Sequence, residues 1–313
     1  MFTVRSAMKL SVSLALCFIC SFAFAQVNER DSSFVCNAKW KRGEQKTLLI
    51  RRIKRDYERD SVKSTFAFEY EAAITVMDSS KDGYKVQWVF HLPAKLKEAN
   101  PQLAQSMPVY EGLKMIFTTT NSGTFKELLN WEEVKDAYVR MAEVSLPPKP
   151  DDKQKEVMDK TKEMFNSKEM VEGTLINEIQ LYHVLYGASF TTKGHTEQSS
   201  VPSPFSADEI PATIESKIAE MSAPKDYVNI VTDQKIDMID AGKIIEGFIR
   251  KMGLPEDSVM KMAKDLLAKF EINDHRGYTV TASTGWISKV VYQRTVRSND
   301  MKKTETYLIE MKN

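Results

Sequence analysis

The sequence is poor in cysteine, and this limits what can hold the protein together. It contains three cysteines in 313 residues, and Cys17 and Cys20 lie in an apolar segment near the N-terminus. If that segment is removed, Cys36 alone remains, so an intramolecular disulfide framework is excluded. The fold must therefore depend on its hydrophobic core. We expect Cys36 to be reduced, either as a structural or as a tail cysteine. Its position in a polar N-terminal stretch argues against a role for its thiol as a nucleophile.

The sequence also lacks recognisable catalytic and metal-binding motifs. No H-E-x-x-H, paired C-x-x-C, EF-hand loop, G-x-S-x-G elbow or glycine-rich phosphate loop occurs. The paired carboxylates at 132–133 and 151–152 begin predicted helices, where acidic residues favour the positive end of the helix dipole. We predict no catalytic, cofactor-binding or metal-binding residue, and a protein that is not an enzyme. The histidines show no metal-ligand spacing and are expected to be solvated or core residues: His91, His183, His195 and His275.

A surplus of either charge sign is missing as well. Lysine and arginine total 44 against 43 aspartate and glutamate residues, a formal charge of +1. Nucleic-acid-binding proteins carry a strong basic surplus on one face, so that class is excluded. No apolar stretch after residue 25 is long enough to cross a bilayer, which predicts no transmembrane span in the mature chain.

The first 25 residues have the pattern of a secretory signal peptide. Arg5 and Lys9 precede an uncharged apolar run, residues 10–24, which closes with Ala23-Phe24-Ala25. The run is shorter than the roughly 20 residues that a retained anchor needs, and the residues before Cys20 are too large for a lipidation site. We predict cleavage after Ala25 and a periplasmic or secreted protein.

Alternating apolar residues predict strands in the first part of the chain. Residues 65–77 and 84–90 alternate on either side of a turn at 78–83, which is typical of an antiparallel hairpin. Residues 46–57 form a further strand, and residues 113–120 and 124–129 a second hairpin. Strands are also predicted at 210–221, 226–238, 278–282, 286–296 and 304–311.

Apolar residues spaced by three or four predict helices between these strands. The predicted helices begin at Trp131 and cover residues 151–166, 168–186, 239–252 and 255–270. A stretch rich in serine, threonine and proline, residues 191–206, is predicted to be a loop. It divides an N-terminal half, residues 26–190, from a C-terminal half, residues 207–313.

Together these elements predict an α+β fold. Strands with one apolar face need a cover, and the amphipathic helices can supply it. We expect a curved antiparallel β-sheet packed around or against several helices, with two adjacent smaller sheets as the alternative. Because each half runs from strands to helices and back to strands, the two halves are predicted to be related.

Three local features favour a structural over a functional interpretation. Basic residues between Lys39 and Arg55 are typical of an edge strand kept soluble by charge, although contact with anionic head groups or glycans is the alternative. The methionines in the predicted helices are expected to fill the core, although they also suit a cavity for apolar ligands. In Thr284-Gly285-Trp286, the glycine is expected to permit a bend and the tryptophan to pack.

Three motifs carry a resemblance to known proteins. They are the strand Gly83–Trp88, the step into a helix at Gly123–Trp131, and the strand pair at Ser283–Ile287. On these motifs the sequence resembles exported β-rich proteins of unknown function from Gram-negative bacteria of the Bacteroidetes type. That resemblance implies an envelope location and no assigned activity. The predicted sheet also resembles that of lipoprotein carriers of the LolA and LolB kind, which hold acyl chains in a concave face, although no residue can be transferred from them.

Two functional hypotheses follow from different classes of protein. The first is a non-enzymatic envelope protein that binds a lipid or other hydrophobic ligand in an apolar groove. The second is a structural or protein-interaction module of the envelope, with an envelope protein as partner and without a small ligand. A hydrolase is a third, weaker alternative. A continuous cavity would favour the first hypothesis over the second.

Overall fold

The computed structural model describes residues 27–28, 32–93, 108–147, 149–202, 209–236, 270–298 and 300–312. The predicted signal peptide, the predicted helix at 239–252 and all but the last residue of the predicted helix at 255–270 lie outside these residues. Phe270, that last residue, belongs to a strand instead.

Most of the described chain is β-strand. Fourteen strands are described: β1 Val27–Asn28, β2 Ser33–Val35, β3 Gln45–Glu58, β4 Ser61–Ser80, β5 Gly83–His91, β6 Lys114–Thr119, β7 Phe125–Leu128, β8 Ser189–Thr191, β9 His195–Pro202, β10 Glu209–Ser222, β11 Tyr227–Ile236, β12 Phe270–Thr281, β13 Ile287–Ser298 and β14 Met301–Met311. The helices described are α1 Trp131–Val144, α2 Asp152–Met164, α3 Lys168–Leu175 and α4 Asn177–His183.

Eleven strands form one antiparallel sheet in the order β7-β6-β5-β4-β3-β14-β13-β12-β11-β10-β9. Neighbours in this order are consecutive in the chain except at β3 and β14, where the last described strand joins the N-terminal half. The strands β1, β2 and β8 form a separate small sheet. The predicted antiparallel sheet is therefore confirmed, and strands from both sides of residues 191–206 contribute to it.

The large sheet is strongly curved, as one side chain demonstrates. Three strands lie between β5 and β13, a distance of roughly 19 Å along the sheet at the usual strand spacing. Yet the ring of Tyr182, at the end of α4, contacts Trp88 on β5 with ring centroids 6.1 Å apart. The hydroxyl of Tyr182 also donates a hydrogen bond of 2.7 Å to the carbonyl oxygen of Ile287 on β13. The sheet must bend to bring both strands within reach of one tyrosine.

One face of the large sheet carries the hydrophobic core. Residues paired across antiparallel strands lie on the same face, and Tyr278, Val290, Ile309, Ile50 and Tyr70 pair successively from β12 to β4. All five side chains are buried. We call this the core face.

Two predictions about the N-terminal and middle regions are wrong. The strand β3 is not an edge strand, because β4 and β14 flank it. Its basic residues pair across the sheet instead, as in the hydrogen bond of 2.8 Å from Arg51 Nε to Glu69. The predicted loop 191–206 contains the strand β9, which pairs with β10 through its backbone despite its polar composition. Backbone hydrogen bonding does not require the apolar alternation that identifies other strands.

The predicted helix at 168–186 is two helices, α3 and α4. They meet at Ile176, whose φ of −119° is not helical. The change of direction allows the consecutive residues Leu175 and Ile176 to be buried together. The apolar residues spaced by three or four in this region nevertheless lie in the core, since Ile179, Tyr182 and Tyr186 are also buried.

Candidate functional site

A polar row crosses the core face where the apolar core ends. Two residues further along each strand from the buried row, Arg276, Tyr292, Tyr307 and Arg52 pair successively across β12, β13, β14 and β3. Phe68 on β4 pairs with Arg52 and extends the row. Because side chains two apart in a strand share a face, this row lies on the core face beside Tyr278 and Ile50.

The four polar side chains of the row contact one another in sequence. The Arg276 guanidinium lies 5.5 Å from the centre of the Tyr292 ring. The Tyr292 and Tyr307 rings have centroids 6.0 Å apart, and the Arg52 guanidinium lies 5.1 Å from the Tyr307 ring. Each arginine–tyrosine contact is a cation–π interaction. The row is therefore a continuous series of contacts in which two arginines flank two aromatic rings.

At one end of the row, two arginines share a buried carboxylate. Asp274 is 2% exposed and accepts hydrogen bonds of 2.8 and 2.7 Å from Arg294 Nε and Nη2. Arg276 Nη2 lies 3.4 Å from the same carboxylate and donates to the side chain of Gln234 at 2.8 Å. The pair with Asp274 raises the pKa of Arg294. A buried carboxylate requires such partners, and this one fixes β11, β12 and β13 to one another.

At the other end, Arg52 donates from Nε to Glu305 at 2.6 Å. Lys54 Nζ lies 3.5 Å from the same Glu305 oxygen. Loss of solvent alone would lower the pKa of Arg52, but Tyr307 and Glu305 outweigh it and raise the pKa. Two cations thus share one carboxylate here. We call Arg52, Tyr70, Glu178, Glu305 and Tyr307 the Arg52 cluster.

The helix α4 brings a further carboxyl group to this cluster. Glu178, in the first turn of α4, is partly buried. Loss of solvent raises the pKa of its carboxyl, while Arg52 and the hydroxyl of Tyr70 oppose that shift and Glu305 adds to it. Tyr70 is 3% exposed, and its hydroxyl faces the Glu178 carboxyl without making a hydrogen bond of normal geometry to any described residue. The cluster therefore combines an arginine, a carboxyl of raised pKa and an unsatisfied hydroxyl.

Aromatic rings continue from the cluster toward helix α1. Ring centroids lie 5.4 Å apart between Phe68 and Tyr70, 5.3 Å between Tyr70 and Phe90, 6.0 Å between Phe90 and Tyr110, and 5.6 Å between Tyr110 and Tyr138. Tyr138 lies on α1 and donates to the carbonyl oxygen of Leu175 at 3.3 Å. The Arg52 cluster therefore borders four further aromatic side chains, which contact the cluster through Tyr70.

The buried histidine is part of the core. His183 Nδ1 lies 2.8 Å from the carbonyl oxygen of Gly123, which assigns the proton to Nδ1. Burial lowers the pKa of this imidazole to about 4, so the ring is neutral at pH 7. Aromatic rings surround it, including Trp40 and Phe117 at centroid distances of 5.7 and 5.1 Å. The other three histidines have exposed side chains, which agrees with the sequence prediction.

Cys36 is a free cysteine in the core, so the predicted structural role is confirmed and the alternative of a tail cysteine is wrong. Its side chain is fully buried, and burial raises the pKa of its thiol to about 12. The segment around it is held by backbone hydrogen bonds to residues distant in sequence, such as Ala188 and Ser122. These long-range contacts, absent from the local sequence, place a polar-looking stretch inside the protein.

The motif at 284–286 has the predicted structural role. Trp286 is buried and stacks on Trp40 with ring centroids 4.7 Å apart. Gly285 has a φ of +72°, and a Cβ there would lie 2.0 Å from the carbonyl oxygen of Asn37. Of the predicted core methionines, Met158 is buried and Met170 is exposed, while those at 252, 260 and 262 lie outside the described residues.

The part of the chain that the structure describes holds no group of three or more histidine, cysteine, aspartate or glutamate side chains able to bind a metal ion. In that same part, no helix is both long enough and apolar enough to cross a membrane.

Sequence reasoning included Arg52 in a basic stretch but did not relate it to the other residues of the polar row. The two-residue period of β12 places Asp274 and Arg276 on the same face as Tyr278, and this relation is visible in the sequence. What could not be read was the pairing of β3 with β14, since the two strands are separated by most of the chain. Without that pairing, Arg52 has no visible relation to Tyr307.

Comparisons with known proteins identify no family. No protein-family model matches the sequence, and no curated protein matches it. Among the solved structures that match is the crystal structure of Rv2717c from M. tuberculosis. It is 8% identical in sequence, the match covers 85% of this chain and 91% of that chain, and the TM-score is 0.24. A likeness at this level carries no argument about fold or function.

Proposed function

We propose that this protein is a non-enzymatic binding protein of the bacterial envelope that holds a hydrophobic ligand on the core face of its curved sheet. The observation that carries the proposal is the change along that face from fully buried residues to partly exposed aromatic ones. Tyr70 is buried, Phe68 is partly buried and Phe66 is 46% exposed, in order along one strand. Successive large apolar side chains at this boundary favour an apolar ligand.

The shape of the sheet supports the same proposal. A sheet that bends around one tyrosine, as this one does at Tyr182, has a concave side on which a ligand loses contact with water from several directions. In this proposal the helices fill one end of the concave side and the ligand occupies the other. The location in the envelope rests on the predicted signal peptide, and the two halves stay a predicted duplication.

Native mass spectrometry tests the proposal on the mature chain, residues 26–313, exported and gently purified from a Gram-negative host. We expect a bound mass of a lipid or similar molecule that is lost on denaturation. Phe68→Glu places a charge on the core face and should remove that mass. Ala67→Glu, one residue away on the opposite face, is the matched control and should retain it. A wild-type chain without bound mass, or equal effects of the two variants, would count against the proposal and favour an interaction module.

A further inference from the structure

We propose that the Arg52 cluster binds the acidic head of the ligand, and that this head is a single carboxylate on an apolar chain. The inference rests on the proposed function, because it names the chemistry of the ligand expected on the core face. It adds a residue, Arg52, that discriminates between ligands with and without a negative charge.

The charge balance at the cluster favours an anion. Arg52 and Lys54 share the single carboxylate of Glu305. Glu178 is the other acid at this position, and loss of solvent raises the pKa of its carboxyl. A ligand carboxylate on Arg52 would add a second anion, so that Arg52 and Lys54 no longer depend on one carboxylate.

The guanidinium of Arg52 has hydrogen-bond donors that Glu305 does not use. Its hydrogen bond and ion pair to Glu305 use Nε and Nη2, and no acceptor among the described residues contacts Nη1. Arginine presents five N–H groups in a plane, and two of them can form bidentate hydrogen bonds with a carboxylate. Its side chain is 33% exposed, so a ligand can reach it.

The unsatisfied hydroxyl of Tyr70 supplies an independent observation. A buried hydroxyl without a partner is rare, because losing its hydrogen bond to water is costly. Tyr70 pairs with Ile50 on β3, one position along the core face from Arg52 and Phe68. In this proposal, a carboxylate oxygen bound at Arg52 accepts a hydrogen bond from this hydroxyl.

A carboxylate fits this cluster better than a phosphate group. Arg52 and Lys54 share the one carboxylate of Glu305, so a monoanion balances this pair of cations and a phosphate dianion exceeds it. The surrounding rings of Phe68, Tyr110 and Tyr138 offer apolar contact to a carbon chain. Together these features match a fatty acid or a similar amphipathic monocarboxylate.

Isothermal titration calorimetry of the mature chain with decanoate and 1-decanol tests the inference, since the two ligands share a carbon chain and differ in charge. We expect decanoate to bind roughly tenfold more tightly or better. Arg52→Gln should remove most of that preference and leave decanol binding unchanged. Arg51→Gln is the matched control, because Arg51 also pairs with a glutamate but lies on the opposite face, and it should keep the preference.

Tyr70→Phe guards against a folding defect in the arginine variant, because it removes only the unsatisfied hydroxyl. We expect it to reduce the preference for decanoate severalfold while thermal unfolding stays cooperative. Equal binding of the two ligands to the wild-type chain would overturn this inference and leave the proposed function standing. Binding of neither ligand would overturn both. Displacement of decanoate by excess inorganic phosphate would overturn the choice of a carboxylate.

Discussion

At the scale of single residues, the contacts made by residues 34–40 indicate which substitutions should destabilise the protein. This segment contains Cys36 and Trp40, and both are buried. It hydrogen-bonds to three separate parts of the chain, at Ser122, Ala188 and Thr284. Although this stretch is polar in sequence, it is packed in the core. We therefore expect residues that contact it to be sensitive to substitution.

Gly285→Ala should destabilise the protein strongly, because the added Cβ would overlap the carbonyl oxygen of Asn37. We expect the free energy of unfolding to fall by about 3 kcal/mol or more, at the upper end for single substitutions. Gly43→Ala is the matched control, since Gly43 has a similar φ of +83° but open space around a Cβ. It should cost only about 1 kcal/mol of backbone strain. Urea unfolding measures both, and equal losses would contradict the close approach.

Protonation of His183 should make the protein less stable in acid. Its pKa is about 4 in the folded protein, against an ordinary value of 6.5. The unfolded chain therefore binds a proton that the folded chain does not, and stability is lost as pH falls from about 6.5 to about 4. The full effect is on the order of 3 kcal/mol.

His183→Asn separates this effect from the titration of carboxylates. The asparagine amide can still donate to the carbonyl oxygen of Gly123, but it does not titrate. We expect the variant to be less stable than the wild type at pH 7 and to show a smaller fall in stability between pH 7 and pH 4, measured by urea unfolding. Parallel pH profiles for the two proteins would show that His183 is not buried as a neutral ring.

At the scale of secondary-structure elements, strand pairing places the charged residues that the sequence leaves ambiguous. The basic residues of β3 were predicted at an edge and instead find acidic partners on β4 and β14, such as Glu69 and Glu305. The pairing of β11, β12 and β13 likewise brings two arginines and a glutamine close to Asp274.

Asp274→Asn should weaken the junction of β11, β12 and β13. The substitution keeps the size of the side chain but removes the charge that Arg276 and Arg294 neutralise. We expect a loss of about 2 kcal/mol in the free energy of unfolding, below the value for a fully buried pair because Arg294 is partly exposed. Asp233→Asn, on the neighbouring strand, removes an exposed pair with His275 and should cost less than about 1 kcal/mol. Thermal or urea unfolding of both variants checks the difference, and a neutral Asp274→Asn would refute the interpretation.

Prediction from sequence succeeded where the signal was local. Alternation identified β4, β5 and the hairpin between them, and a three-to-four-residue spacing identified α1 and α2. The capping at Asp151 is also as expected, because its carboxylate accepts a hydrogen bond from the backbone nitrogen of Gln154 at 2.7 Å. Prediction failed at β9, where the sequence predicts a loop because the pairing depends on the backbone and not on apolar alternation. It also failed at Ile176, where one predicted helix is divided into two. The polar row was missed because it arises only when distant strands pair.

At the scale of the whole molecule, the pairing of β3 with β14 joins the two ends of the described chain. These strands pair over most of their length, from Met301 opposite Glu58 to Met311 opposite Leu48. The N-terminal half therefore depends on a strand from the C-terminal half.

A fragment of residues 26–190 should not fold independently. Without β14, the strand β3 becomes an exposed edge, and the core-face residue Ile50 loses its cover on that side. We expect the fragment to unfold without a cooperative transition and to aggregate, as measured by circular dichroism and size-exclusion chromatography. A monomeric fragment with a sharp thermal transition would show that the N-terminal half is a separate domain.

We propose that a ligand lies on the core face beside Arg52, and a crystal structure of the mature chain grown with decanoate would test this. We expect density for the carbon chain against Phe68 and for the carboxylate within hydrogen-bonding distance of Arg52 and the Tyr70 hydroxyl. Density on the opposite face of the sheet, or an unchanged and unoccupied Arg52 cluster at saturating decanoate, would contradict it.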